Sequence, residues 1–470
     1  MTTSSSVPDN GGDHSGGGGS AGGYADNVFS TYVYEGTGAD RDIVNGVDLA
    51  GEGGLVWLKP RDQDRPHTLF DTERGVSGGQ LQSNSVNSEL YQAGRHVTSF
   101  NEDGFSIGLG DADTNAADKD YVSWTFRKQP EFFDIVTWTG DGSTPFTLPH
   151  NLGTSVGMSI VKSTSDPANW LVNHVDLPDH YLHLNQSGQK ESDVKMVSTD
   201  STVTFTGSTS WYNRAGREYV AYLFAHDDSD EGMIQCGSYT GQGMGLWAEV
   251  DLGWEPQFLL YKESSGADNW YMLDSMRGVV SGGADAVLFA DESEAEKQSV
   301  SQGLVEFTPT GFRAALSTNP AKEYIYMAIR RPNKPAEEFE PEELFDIAYG
   351  DGSGSPDFKG PLTDFRLSKD VNQTSSVFAG SRLQGTKYLQ TAESEDESNA
   401  SYSKYDYMDG WSDLGLASPN MSWMWRRAPG YFDVVPYDST NDGTSNPLDL
   451  VVPHNLGAVP EMMWVKRRNA

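Results

Sequence analysis

The segment DYVSWTFRK at residues 120–128 returns as EYVAYLFA at 218–225 and as EYIYMAIRR at 323–331. Within it Val122, Trp124 and Phe126 alternate with Tyr121, Ser123 and Thr125, and in the second copy Val220, Tyr222 and Phe224 alternate with Tyr219, Ala221 and Leu223. A period of two sends successive side chains to opposite faces of a strand, so these segments read as half to fully buried strands. Their recurrence at roughly 100-residue intervals is an internal repeat, and a repeat governs every later inference about the fold.

Two further segments recur ahead of this closing strand. An apolar run ending on lysine appears as GLVWLK, GMSIVK and PQFLLYK, closing on Lys59, Lys162 and Lys262, and again as PEMMWVK, closing on Lys466. Earlier still comes an aromatic opening strand: TYVYEGTG ending at Gly38, FFDIVTWTGDG from Phe132, CGSYTGQG from Cys236, LFDIAYGDGSG from Leu344 and YFDVVPYDS from Tyr431. Tight turns follow at Gly36-Thr37-Gly38, Gly140-Asp141-Gly142 and Gly350-Asp351-Gly352, where glycine supplies positive φ. The pairs Gly104-Phe105 and Gly311-Phe312 precede the closing strand in the first and third copies.

These boundaries predict a flexible Gly/Ser-rich tail over 1–28, β units over 29–128, 129–230 and 231–333, a divergent β unit over 334–430 and an incomplete unit over 431–470. The Pro-rich acidic stretch PNKPAEEFEPEE at 332–343 sets off the fourth, which reads as lacking the lysine-closed run and carrying SRLQGTKYLQT and YDYMDGW instead. Because no closing strand follows Lys466, the expectation is a fragment of a longer repeat protein. Short strands punctuated by turns at this density predict an all-β fold, a tandem array of β-sandwiches of jelly-roll or concanavalin-like type. FKGPLTDFRL at 358–367 resembles part of the laminin-G and concanavalin-like sandwiches. The best helical pattern, ADAVLFADESEAEKQSV at 284–300, predicts one short surface helix.

Acidic residues outnumber basic ones 68 to 33, giving a formal charge of −35. Such a surface repels nucleic-acid phosphates and anionic membranes, so neither is an expected partner. One cysteine, Cys236, rules out an intrachain disulfide and leaves stability to packing. No segment reads as a signal peptide or a membrane span.

The chemistry-bearing candidates read as architecture. His150-Asn151-Leu152-Gly153 and His454-Asn455-Leu456-Gly457 look catalytic, but the matching positions are Asp251-Leu252-Gly253-Trp254 and Asp48-Leu49-Ala50-Gly51. A base would not survive that exchange, whereas a turn whose His or Asp accepts backbone amides would. Asp134, Asp346 and Asp433 recur in the opening strands and read as internal partners, with Arg127 and Arg427 the expected cations, rather than as a glycosidase pair. GxSxG at Gly18, Ser20 and Gly22 lies in polyglycine and lacks the strand and helix of a nucleophile elbow. Asp111, Asp113 and Asn115 match the first ligands of a calcium loop, yet Ala116 and Val122 exclude an EF-hand and leave only a looser surface site open. No catalytic, cofactor-binding or metal residues are assigned. Trp124, Trp138, Trp423 and Trp425 read as core, while Trp170 and Trp270, each after an asparagine, are the candidates for stacking on a sugar.

WTFRKQPEFFDIVTWTGDG, LPHNLG, NWYMLDSMRG, EYIYMAIRRP, MSWMWRRAPGYFDVV and VPHNLGAVPEMMWVKRR together resemble a repeat family of unknown biochemical function found in virion proteins of tailed bacteriophages, notably marine ones. The resemblance covers nearly the whole chain after residue 28. It implies a non-catalytic virion structural protein, a tail fibre or host-recognition component that associates with other virion proteins, forms homotrimers and leaves the host cytoplasm by lysis. The alternatives are a capsid or tail decoration protein and a bacterial carbohydrate-binding adhesin contacting a cell-surface glycan; a glycan-cleaving enzyme ranks last, since no unique acidic constellation stands out.

Overall fold

The computed structural model describes residues 23–469 apart from 77, 92–93, 244–245, 300–303, 316–320, 351–354, 373, 375, 400–402, 414–419 and 439–449. The GxSxG pattern and most of the Gly350-Asp351-Gly352 turn lie outside the described residues. The fold is all-β and β-sandwich-like: eight sheets come in four pairs, and each pair draws its strands from one continuous stretch of chain.

In the first pair the larger sheet runs Phe29–Glu35, Asp120–Arg127, Gly54–Pro60, Thr68–Asp71. We call these the opening, closing, lysine and flank strands. The same order recurs as Phe133–Thr139, Glu218–Ala225, Val156–Ser163, Leu171–His174; as Ile234–Thr240, Glu323–Arg330, Pro256–Glu263, Trp270–Asp274; and as Phe345–Gly350, Asn420–Trp425, Phe365–Asp370, Phe378–Ser381. All neighbours pair antiparallel. Each lysine holds one register: Lys59 faces Val122, Lys162 faces Val220 and Lys262 faces Ile325. Lys369 faces Met421 in that same register, so the fourth stretch does carry a lysine-closed strand, DFRLSK. Its polar residues hide it from a search for apolar runs.

A three-stranded sheet covers one face of each larger sheet, as with Arg41–Val44, Gly104–Ile107 and Val97–Asn101 in the first pair. Gly104 sits where that sheet is tightest, because a Cβ there would stand 1.9 Å from the Ile43 carbonyl oxygen, and Gly311 would meet Val250 at 2.0 Å. Gly410-Trp411 occupies the central strand of the fourth small sheet, a place the Gly-Phe signature marks only in the first and third. The expected helix over 284–300 is instead two short strands, Ala286–Phe289 and Lys297–Gln298. Tertiary packing overrides propensity there: Val287 and Leu288 are buried against opposite faces of the third large sheet, and the Asp285 carboxylate takes the amides of Val280, Leu304 and Val305. The expected tail also ends early, since Ala25–Val28 forms one helical turn held by Asp26, which accepts the amides of Asn333 and Lys334.

The two faces of the first and third larger sheets go to different cores, while both faces of the second lie in one. In the first pair Val56, Leu58 and Tyr121 face the small sheet with Ile43, Phe105 and Ile107. Leu55, Trp57, Val122, Trp124 and Phe126 face outward into a core shared with the second and third pairs. The third pair divides likewise, with Leu259 and Tyr261 inside its sandwich and Phe258 and Leu260 in the shared core. Burial on both faces is why these strands read as continuous apolar runs. At the centre Phe126 meets Phe29 at 4.9 Å, Phe133 and Phe224 at 5.6 Å and Phe258 at 6.3 Å between ring centroids.

Candidate functional site

Buried polar contacts lie where the first three sheet pairs meet, and corresponding residues repeat around the junctions. The residue eight places after each lysine donates from its ring to a carbonyl of another pair: His67 Nε2 to Phe289 (2.9 Å), Trp170 Nε1 to Gln82 (2.9 Å) and Trp270 Nε1 to His183 (3.0 Å). The His67 tautomer follows from its other contact, because the indole N–H of Trp57 donates to Nδ1 and leaves the proton on Nε2. The residue two places after each lysine accepts a backbone amide: Arg61 from Glu296, Thr164 from Glu89 and Ser264 from Lys190. The amide donors run first to second, second to third and third to first, and the ring donors run the opposite way round, so each set joins all three pairs. Three sheet pairs therefore close into a ring with approximate threefold correspondence, and the chain order carries no sign of the closure.

The junctions differ in side-chain chemistry. Between the first and second pairs Asp71 accepts from the Tyr222 hydroxyl (2.8 Å) and pairs with Arg74 (2.6 Å), which reaches Glu89 (2.9 Å). Between the third and first the same places hold Asp274, which accepts from the Trp124 indole (3.0 Å) and pairs with Arg277 (2.6 Å), which reaches Glu296 (3.2 Å). Arg61 extends this network with a fork onto Glu296 and a bond to Asp406 of the fourth pair. Between the second and third the acid–arginine pair is gone: His174 and Leu177 replace it, and His174 Nε2 bonds the Tyr326 carbonyl (3.0 Å). Burial lowers the pKa of both His67 and His174, so each is a neutral donor at pH 7. For Arg61 burial opposes the charge, but Glu296 and Asp406 outweigh it and hold the guanidinium ionised.

Lys59, Lys162 and Lys262 are fully buried and bond carbonyl oxygens rather than acids: Pro60 (2.7 Å), Ser163 (2.8 Å) and Glu263 (2.6 Å), with a second acceptor at Gln63, Val86 or Gly266. Desolvation lowers each to about 8. Between pH 8 and 10.5 the unfolded chain binds protons at these lysines that the folded chain has released. Their contribution to stability is therefore present at high pH and lost as pH falls through 8, with a slope of at most about 1.4 kcal/mol per pH unit for each. Above pH 10 the buried tyrosines, whose pKa burial raises, reverse the trend. Urea midpoints measured from pH 8 to 10 are expected to rise less steeply for Lys262→Met than for the unaltered chain, and parallel curves would remove the lysines from the account.

The sequence-derived candidates fall as follows. His150 Nδ1 accepts the Leu152 amide and His454 Nδ1 that of Leu456, while Asp251 accepts from Gly253 and Asp48 from Gly51, one turn role filled by two residue types. Asp134 binds the amides of Ile135 and Asn151 and lies 3.6 Å from Lys128, not Arg127, whose guanidinium bonds Gln129. Asp433 does pair with Arg427 (2.7 Å), and also with Arg331. Asp346 accepts only the neighbouring Ile347 amide among its described contacts. Trp124, Trp170 and Trp270 are wholly buried, so the expectation that Trp170 or Trp270 stacks on a sugar is corrected: both indoles are spent on holding junctions. Trp138 is partly buried, stacked on Tyr219, and Trp423 and Trp425 are half-buried. Asp111, Asp113 and Asn115 hold their own loop, Asn115 by bonding Ala39 and Gly108, and no three His, Cys, Asp or Glu side chains among the described residues are placed to share a metal ion. Burial raises the Cys236 thiol far above its ordinary range, so it packs as an apolar group. Asp71, Arg74, Asp274 and Arg277 are the functional residues that motif reading misses; the recurring D-x-x-R-G of DTERG and DSMRG was their signal.

The fold and its junctions define an all-β protein in which three β-sandwich-like sheet pairs are closed into a ring by buried polar contacts. Residues 25–332 match the profile of a domain of unknown function, DUF7483, and the chain belongs to that family. The matched span begins at the helical turn of Ala25 and ends just past the third closing strand, which is the extent of the ring. No curated protein matches the sequence.

Proposed function

We propose that the protein is a non-catalytic structural component of a bacteriophage virion, a tail fibre or host-recognition part, as the sequence resemblance implies. The observation that supports this reading best is the closed ring: the buried Asp71, Arg74, Asp274, Arg277, His67 and His174 are committed to holding three sheet pairs together. That is the economy of an assembly part, whose polar groups fix geometry rather than face a substrate. A ring with threefold correspondence suits a place on a threefold axis, among other virion proteins or in a homotrimer of the whole chain. The acidic surface keeps such a part soluble and off nucleic acid.

Antibody raised against the purified chain is expected to decorate intact particles of the phage that encodes it, and light scattering separates the 51.4 kDa chain from a trimer. Absence of the protein from purified particles would sink the reading, and release of reducing sugar from a polysaccharide by the purified chain would reopen the enzyme alternative.

A further inference from the structure

The loops that lead into the first and second closing strands share one frame. Asn115 Oδ1 accepts the Thr37 amide and Asn213 Oδ1 that of Asp141, while the Tyr121 and Tyr219 hydroxyls accept the amides of Ala116 and Arg214. The Lys119 and Arg217 carbonyls accept from Gly36 and Gly140. Both loops are thus pinned at corresponding points, and what differs is the side chains they carry. Asp113, Ala116 and Arg65 of the first pair correspond to Trp211, Arg214 and Ala168 of the second. In the first pair Arg65 reaches to Asp113 (3.7 Å). In the second pair the same two places hold Ala168 and Trp211, which line a pocket of about 210 Å3.

Three kinds of chemistry converge on this pocket. Trp211 is partly buried and held against the His183 ring, 5.0 Å between centroids. Arg217 Nε lies 2.7 Å from the Asp166 carboxylate, and Arg214 Nη1 stands 3.8 Å from the same carboxylate with its side chain 65 % exposed. Two guanidiniums therefore share one acid, which leaves a net positive charge at this spot in a chain whose formal charge is −35. Asp166 and the Ser210 hydroxyl supply acceptors on the same wall.

A bare anion is a poor match, because Asp166 repels it. The lining suits a ligand that offers a carboxylate to Arg214, hydroxyls that donate to Asp166, and an apolar ring face to Trp211. The volume falls below the roughly 300–1,000 Å3 of sites that enclose drug-sized ligands, which limits the occupant to one ring. We propose that this pocket binds a single acidic sugar residue of a glycan, a hexuronate or a sialate. The proposal rests on the host-recognition reading only for where such a glycan is met. A variable loop on a fixed frame is also where binding residues concentrate.

The test titrates glucuronate and N-acetylneuraminate into the full chain by saturation-transfer NMR, with glucose as the neutral ring and acetate and inorganic phosphate as the bare anions. At the efficiency of small ligands, at least one of the two sugar acids is expected to bind with a Kd on the order of 1 mM, and the controls at least about tenfold more weakly. Arg214→Ala, at an exposed position away from the ring junctions, is expected to weaken that binding by about tenfold, the scale of one charge-assisted contact. Arg65→Ala in the matching loop of the first pair is expected to leave it unchanged. No saturable binding of either sugar acid, equal binding of acetate or phosphate, or binding that survives Arg214→Ala intact would each overturn the proposal. Lack of binding by a chain that is found on purified particles would sink the pocket and spare the virion reading, and binding by a chain absent from particles would do the reverse.

Discussion

Asp274→Ala is expected to destabilise the ring by about 3–5 kcal/mol, the cost of removing one partner from a buried ion pair. The Arg277 side chain is wholly buried, its Nε lies 2.6 Å from the Asp274 carboxylate, and that carboxylate also takes the Trp124 indole N–H. Removing the acid leaves a guanidinium with Glu296 as its remaining acidic partner and a buried indole with no acceptor. The second-to-third junction offers an internal control, because His174 and Leu177 do the same work there without an ion pair. Asp274→His combined with Arg277→Leu is expected to recover at least half of the loss, since no unpaired charge is left behind; the two changes touch and their effects are not additive. Urea unfolding of the single and double variants measures both. A single variant within about 1 kcal/mol of the unaltered protein, the scale of an exposed pair, would show that the junction is held by its apolar contacts alone.

Strand parity was the legible part of the sequence. Val122, Trp124 and Phe126 alternate with Tyr121, Ser123 and Thr125, and that pattern carries both the all-β class and the double burial of the closing strand. Two errors have one physical source. DFRLSK escaped because Arg366, Ser368 and Lys369 break the apolar run, yet Arg366 is buried and stacks on Trp411, so the strand keeps its place by cation–π and hydrogen bonds. ADAVLF looked helical because its apolar residues have helical spacing, whereas its position in the sheet was fixed by the strands on either side of it. Sequence periodicity reports local preference, and both segments are decided by neighbours far along the chain.

The junction residues were illegible for a different reason. Trp170 and Trp270 follow asparagine near a loop, which is also what an exposed sugar platform looks like. Only the carbonyls of Gln82 and His183, about ninety residues earlier in the sequence, reveal what the indoles are for. Asp71 and Asp274 resemble ordinary turn acids until Tyr222 and Trp124 are brought against them. Contacts between sheet pairs leave no local periodicity, so repeated strands establish the sandwiches and say nothing about whether those sandwiches stand in a row or close on one another.

Closure has a measurable consequence in Phe126→Ala, for which a loss of about 3–5 kcal/mol is expected from a wholly buried phenylalanine. The ring of Phe126 touches Phe29 of its own pair, Phe133 and Phe224 of the second and Phe258 of the third. A cavity there removes dispersion contacts from all three pairs at once and cannot be relieved by repacking within one. Residues 25–332 should accordingly melt in a single calorimetric transition that moves down as a whole in the variant. Phe312→Ala, inside the third sandwich, is the comparison: it too lowers one shared transition if the pairs are thermodynamically joined, but it leaves the aromatic axis intact. Three resolved transitions, with Phe126→Ala displacing only the first pair's, would mean that the sandwiches fold as independent beads and that the shared core contributes contact without cooperativity.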